Sequence, residues 1–329
     1  VVEKKKIDVM FFEAFKEEKA LLKSICPEHI HPKFTSQTIQ EKGIENVPST
    51  LISIRTQSKI PDEWVNDLEG ILARSTGYDH VLNYIKRTGS LAQAGYLPSY
   101  CARAVGEQAI LLVMSLLRNI KKQVNNFETF NRDGLTGQEC QDKKALVVGV
   151  GNIGSEIVDI ARGLRMKVAG FDINQKVPGL EYADLTSGLA WADIVVCALP
   201  LTDETDCMLG YEALKKVKTG AIFVNVGRGE VSPLKDLKRL LDEGVLGGAG
   251  LDVYDEEKSI AQHLRDPNKY KETENASIIK ELKGRENVIF TPHNAFNTKE
   301  ALNQKAEQAI ESVSLFLMEK RFLYPVPQE

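Results

Sequence analysis

The chain has 329 residues, 43% of them apolar, enough for two domains with a core each. A formal net charge of -4 at pH 7 leaves no basic excess, which argues against nucleic acid as the main partner. The longest apolar stretch, AILLVMSLL at 109–117, is far too short to span a bilayer, so no membrane partner is expected.

The chain opens on a charged stretch followed by an apolar run at 7–12, read as a first strand because no small-residue cleavage site follows it. A mixed helix at 17–25, apolar strands at 50–54 and 70–73, and a helix start at Pro61 in PDEWVNDL complete an α/β pattern of short crossovers. After Pro98 the character changes: 102–127 reads as one long helix with an apolar stripe. From Ala145 on, strands at 145–150, 167–172, 194–199, 221–226, 248–253 and 287–291 alternate with helices, the signature of a doubly wound parallel sheet. An amphipathic helix at about 298–319 follows, then an irregular tail, FLYPVPQE. If both long helices cross between halves, a dinucleotide-binding domain at 102–298 is inserted into a smaller substrate domain made of 1–101 and 299–329. The five cysteines are odd in number and no close pair has ligand spacing, so free thiols in a reducing, cytoplasmic compartment and no metal site are expected.

The stretch ALVVGVGNIGSEIVDIARGLRMKVAGFD (145–172) sets strand, glycine turn, helix, strand and terminal acid in the order a dinucleotide site requires. Gly149 allows the turn, Gly151 lets the backbone approach a pyrophosphate, and Gly154 lets the helix pack closely with its positive end toward the phosphates. Asp172 is placed for the ribose hydroxyls. A carboxylate there repels a 2′-phosphate, and no arginine adjoins it, so NAD is favoured over NADP.

Three places downstream carry chemistry. Arg228, between Gly227 and Gly229 after a buried strand, suits a substrate carboxylate, with the glycines allowing a ligand to come close. Asp252 lies in the apolar end of a strand and needs a donor, such as a carboxamide of the cofactor. Asp255, Glu256 and Glu257 follow it in one acidic turn, and sequence alone singles out none of them. His293 comes directly after a strand, restrained by Pro292. A histidine oriented by a carboxylate, beside an arginine that fixes the substrate, supplies the proton transfer that must accompany hydride transfer at a hydroxyl. His29, His31, His80 and His263 lack such a setting and read as surface residues.

Together GVGNIG with Asp172, ALPLTDET (198–205), VNVGRGEV (224–231), EGVLGGAGLDVYDEE (243–257) and TPHNAF (291–296) resemble the D-isomer-specific 2-hydroxyacid dehydrogenases over nearly the whole chain. LPSY before the long helix and Phe296 after the histidine are most similar to the D-lactate dehydrogenase branch, which includes D-2-hydroxyisocaproate and (R)-2-hydroxyglutarate dehydrogenases. The resemblance implies a Rossmann nucleotide domain inserted into a flavodoxin-like α/β substrate domain, a homodimer built through the nucleotide domains, and an active site between the two domains. It implies Arg228, Glu257 and His293 as the catalytic residues. Asn152, Ile153, Leu199, Pro200, Thr205, Val226, Gly227 and Asp252 join the glycine turn as cofactor contacts. In RSTGYD (74–79) it implies that the backbone at Thr76 and Gly77 binds the substrate carboxylate, and that Tyr100 and Phe296 line the substrate's side chain. Arg55 falls where relatives place a substrate-facing residue, either a second carboxylate clamp for a diacid or a solvated arginine. Departures are the VSP sequence at 231–233, the long polar segment 258–286, and Asn294 and Asn297 in HNAFNT. The expected reaction is NAD-dependent interconversion of a small 2-oxo acid and its D-2-hydroxy acid, pyruvate and D-lactate first. The alternatives are (R)-2-hydroxyglutarate, D-2-hydroxyisocaproate, and an NAD-sensing binding protein akin to the corepressors of this fold.

Overall fold

A computed structural model describes residues 7–327. In chain order the elements are β1 (Val9–Phe11), α1 (Lys16–Ile25), β2 (Pro32–Phe34), α2 (Ile39–Lys42), β3 (Leu51–Ile54), β4 (Gly70–Ala73), α3 (Asp79–Thr88), β5 (Gln93–Gly95), α4 (Ala102–Leu117), α5 (Ile120–Asn126), β6 (Lys144–Val148) and α6 (Asn152–Gly163). There follow β7 (Lys167–Phe171), β8 (Glu181–Tyr182), α7 (Leu185–Trp191), β9 (Ile194–Cys197), α8 (Tyr211–Leu214), β10 (Ala221–Asn225), α9 (Leu234–Asp242), β11 (Leu246–Leu251), α10 (Glu257–Arg265), α11 (Glu274–Leu282), β12 (Val288–Phe290) and α12 (Lys299–Glu319). The chain forms two compact units, one from the segment up to Cys101 together with the segment from Asn297 on, the other from Ala102–Phe296.

The first unit holds a parallel sheet in the order β2-β1-β3-β4-β5, the flavodoxin-like arrangement. Its inner strands β1, β3 and β4 are short and buried on both faces, so they read as apolar runs without alternation. Met10, Phe12, Ile52, Ile54, Ile71, Trp64 and Tyr84 fill one side of it. The segment after Pro61 is a 3-10 turn, Asp62–Asn66, whose purpose is to bury Trp64 with its indole N–H on Glu45 O at 2.9 Å. The described part of the tail is irregular, as expected, but it is tied down. Pro325 bridges Gly95 in antiparallel fashion, with Val326 N–H on Ala94 O and Tyr96 N–H on Tyr324 O, so it covers the otherwise open edge of β5.

The second unit is a doubly wound parallel sheet in the order β12-β11-β10-β9-β6-β7-β8. The expected long helix is broken: α4 ends at Leu117 and α5 begins at Ile120, because Asn119 takes a left-handed conformation (φ 51°) and its amide donates to Thr136 O. The α4 part seats on β11, where Gly248 and Gly250 leave room for Leu116 and Leu112. The polar segment after Glu257 is folded as α10 and α11, the latter capped by Thr273, whose hydroxyl accepts from Ala276 N–H. No helix among the described residues is long and apolar enough to cross a membrane.

Candidate active site

In a doubly wound sheet the ligand crevice lies beyond the carboxyl ends of the strands, where strand order reverses. Here the reversal falls between β6 and β9. The glycine turn follows β6, Asp172 follows β7, Leu199 and Pro200 follow β9, Arg228 follows β10, Asp252 follows β11 and His293 follows β12. Residues scattered over about half the sequence thus come to one end of one sheet.

At the turn, Gly149 has φ 89°, and a Cβ there would sit 2.9 Å from the Ala198 and Leu199 backbone. A Cβ on Gly154 would lie 1.9 Å from Gly149 O, so α6 closes directly on the turn. Gly151 caps α6, is exposed, and has nothing within 4 Å of where a Cβ would sit, and Asn152 after it is exposed. Exposed backbone at a helix N-terminus, with the helix dipole behind it, fits a pyrophosphate. Asp172 is half-buried and braces the turn, its Oδ2 accepting from Val150 N–H at 2.6 Å and its Oδ1 from Asn174 N–H at 2.7 Å. Thr205 organises the loop after β9, donating to Pro200 O and accepting from Thr202 N–H, both at 2.7 Å. Ile153 is half-buried at the start of α6.

Arg228 is half-buried, and its Nη1 donates to Gly227 O at 2.9 Å. The flanking glycines serve the chain itself rather than a ligand. A Cβ on Gly227 would meet Leu199 O at 2.5 Å, and one on Gly229 would meet the Tyr254 carbonyl carbon at 1.8 Å. The arginine loop is shaped by Asn225, which is 1% exposed. Its amide donates to Arg228 O and Ser232 Oγ at 2.8 Å, and its Oδ1 accepts from Gly227 N–H at 2.9 Å, while Val226 N–H bonds Cys197 O. A polar residue ending a five-residue buried strand was the available signal.

The three acids divide the work. Asp255 Oδ1 accepts from Leu234 N–H and Oδ2 from Asn275, so it caps α9 in place of the capless Pro233 and ties α11 to it. Glu256 is exposed, at φ 55°. Glu257, at the start of α10, meets His293, with Nδ1 2.9 Å from both carboxylate oxygens. The pair is only partly covered, at 28% and 22% exposure, so Nε2 is the ring atom left for proton exchange.

His293 itself sits at φ 50°, a left-handed conformation that a non-glycine residue keeps only when its surroundings impose it. The surroundings are Asp252 and Tyr254. Asp252, 1% exposed, accepts from Thr291 Oγ1, from Asn294 N–H at 2.9 Å and from Ala295 N–H at 2.9 Å, on both sides of the histidine. The donor that Asp252 requires is therefore the chain's own loop. Burial pushes its carboxyl above the usual range, and the three hydrogen bonds restrain that rise. The Tyr254 hydroxyl reaches Leu251 O and Thr291 O, and burial raises it well above an ordinary phenol. Of the remaining histidines, His80 differs from expectation: both ring nitrogens are shielded from solvent.

In the first unit, Thr76 Oγ1 lies 3.5 Å from Cys101 Sγ, Ser75 Oγ donates to Gly77 O at 2.6 Å, and Tyr100 is buried. Arg55 is half-buried, its guanidinium 4.8 Å from the Phe15 ring centroid. Phe296 belongs to the second unit and is half-buried.

The profile of the D-isomer specific 2-hydroxyacid dehydrogenase NAD binding domain matches residues 110–295. The chain is 30% identical over 246 residues to a D-specific alpha-keto acid dehydrogenase of Enterococcus faecium, covering 74% of each. It is 30% identical to the D-lactate dehydrogenase kk1H of Curvularia clavata, covering 84% of this chain and 80% of that one. The crystal structure of D-lactate dehydrogenase from Aquifex aeolicus complexed with NAD and lactic acid superposes with a TM-score of 0.84 at 25% identity, over 98% of this chain and 100% of that one. The chain belongs to the D-isomer-specific 2-hydroxyacid dehydrogenases. It is an NAD-dependent oxidoreductase of the D-lactate dehydrogenase branch, not a binding protein that has only kept the fold.

Proposed function

We propose that this enzyme reduces a small 2-oxo acid to its D-2-hydroxy acid, pyruvate to D-lactate foremost, with Arg228, Glu257 and His293 as the catalytic residues. The observation that carries the reading is His293 held through Nδ1 by both oxygens of Glu257, on a loop whose backbone Asp252 clamps. When bound, NADH supplies the hydride for the carbonyl carbon. Arg228 grips the substrate carboxylate and polarises the keto oxygen. His293 Nε2 gives that oxygen its proton, and Glu257 fixes the ring and stabilises its charged form. Oxidation uses the same residues, with His293 neutral and taking the proton. Gly149, Gly151, Asn152, Ile153 and Gly154 cradle the pyrophosphate, and Asp172 takes the ribose hydroxyls. Leu199, Pro200, Thr205, Val226, Gly227 and Asp252 frame the rest of the cofactor. Thr76 and Gly77 bind the substrate carboxylate, and Tyr100 and Phe296 bound its side chain.

Reduction takes up a proton and oxidation releases one, so acid pH favours the first and alkaline pH the second. Replacing Glu257 by Gln removes the carboxylate that holds His293 Nδ1, so kcat should fall about tenfold or more in both directions. An unchanged kcat takes Glu257 out of this role. Absorbance at the NADH band with a panel of 2-oxo acids tests the substrate. A second reading, (R)-2-hydroxyglutarate, rests on Arg55, half-buried and stacked over Phe15. Pyruvate against 2-oxoglutarate, with and without Arg55→Ala, separates the two. A homodimer is supported by Leu111, Met114, Ile120, Val124, Phe127 and Phe130, which leave apolar surface exposed along α4, α5 and the turn after them. A cytoplasmic setting completes the reading, in keeping with five cysteines that stand as thiols rather than disulfides.

A further inference from the structure

The two most heavily buried cations of the described residues lie in the first unit and share one buried carboxylate. Arg74 is 0% exposed, Lys305 0% and Glu18 2%. They come from three elements: Glu18 from α1, Arg74 from the end of β4, and Lys305 from α12. One carboxylate oxygen, Glu18 Oε1, meets both cations, Arg74 Nε at 3.1 Å and Lys305 Nζ at 2.9 Å. The other, Oε2, is buried without a hydrogen-bond partner among the described residues. Arg74 also donates to Ser53 Oγ at 3.0 Å and Phe12 O at 2.6 Å, so its guanidinium joins α1, β3 and the residue after β1. Its backbone is the first step of the loop that contains Thr76 and Gly77. Lys305 Nζ also lies 5.6 Å from the ring centroid of Tyr100, whose neighbour Cys101 touches Thr76.

Such an arrangement is a poor way to gain stability. Buried ion pairs recover little beyond their desolvation, and a second cation on one oxygen adds repulsion. Arg74 cannot shed its proton, so only Lys305 can relieve the excess. The charged groups acting on Lys305 are Arg55 and Arg74, which disfavour its proton, and Glu18, which favours it, with the Tyr100 ring as its other neighbour. Burial, then Arg55, pull its amine down to about 7.

We infer that Glu18 and Lys305 are positioning residues for the substrate-carboxylate loop: Glu18 holds Arg74, Arg74 holds the loop at Thr76–Gly77, and charged Lys305 competes with Arg74 for Glu18 Oε1. The inference rests on the reading of Thr76–Gly77 as that loop. Below about pH 7 the competition is on, and above it a neutral Lys305 leaves the carboxylate to Arg74.

The test compares KM for pyruvate, kcat, and KM for NADH in wild type, Glu18→Gln and Lys305→Met from pH 6 to 8. Glu18→Gln is expected to raise KM for pyruvate tenfold or more, with kcat and KM for NADH within twofold. Lys305→Met keeps length and folds without the surplus cation, so it serves if Glu18→Gln does not fold. The ratio of wild-type to Lys305→Met KM for pyruvate should exceed one at pH 6 and fall to one by pH 8. Taking the ratio cancels any pH dependence of the chemical step that the two enzymes share. A ratio that stays flat across this range overturns the inference, as does a Glu18→Gln enzyme with unchanged KM for pyruvate. If the wild type reduces no 2-oxo acid in the panel, the proposed function fails, and this inference with it.

Discussion

Replacing Lys305 by Met gives a stability test of the same buried cluster that does not depend on turnover. An ammonium brought from 10.5 to about 7 by burial and neighbouring cations is penalised in its charged form by roughly 5 kcal/mol, at 1.36 kcal/mol for each factor of ten. Methionine removes that penalty and loses one contact to Glu18, while Arg74 still neutralises the carboxylate at 3.1 Å. Apolar replacement in buried ionic clusters is neutral or stabilising by about 1–4 kcal/mol, so a gain of about 1–2 kcal/mol is expected at pH 6.5. The sign of the pH dependence follows from proton counts. Between about 7 and 10.5 the unfolded chain keeps the lysine proton and the folded chain does not, so wild-type stability rises with pH in that window. From pH 6.5 to 9.5 wild type should gain roughly 3 kcal/mol on the variant, enough for the two stability curves to cross. Urea unfolding in a Trp191→Phe background reads the first unit alone, because Trp64 then remains as a buried reporter there. Parallel curves, or a variant several kcal/mol less stable at pH 6.5, would refute the reasoning.

Asp252→Asn turns an acceptor into a donor facing backbone N–H groups, which costs about 1–3 kcal/mol for an unpaired buried group. kcat is expected to drop tenfold or more with KM for NADH retained, and an unchanged kcat detaches Asp252 from the histidine loop. Asp172→Ala removes both the ribose acceptor and the brace on Val150 N–H, so the NADH Kd by fluorescence titration should rise tenfold or more. Phe127→Glu with Phe130→Glu should convert a dimer to monomers in sedimentation, and an unaffected mass places the interface elsewhere.

By itself the sequence determined what depends on local spacing. The glycine turn, the apolar strands and the acid at Asp172 are set by residues within one βαβ unit, where periodicity and turn chemistry act over a few residues. The family followed from blocks in a fixed order. Tertiary structure decided what depends on distant partners. It paired Glu257 with His293 and set Asp255 to capping α9, a choice the acidic turn leaves open because all three acids have the same chemistry and nearly the same address. It broke the long helix at Asn119, where a hydrogen bond to Thr136 outweighs helical propensity. It gave Asp252 its donors from residues about forty positions on, and turned Gly227 and Gly229 toward the protein's own backbone. Above all it gathered Glu18, Arg74 and Lys305, far apart along the chain, into one buried cluster. Burial changes what a charge costs, and burial is a property of the packed chain rather than of any stretch of it.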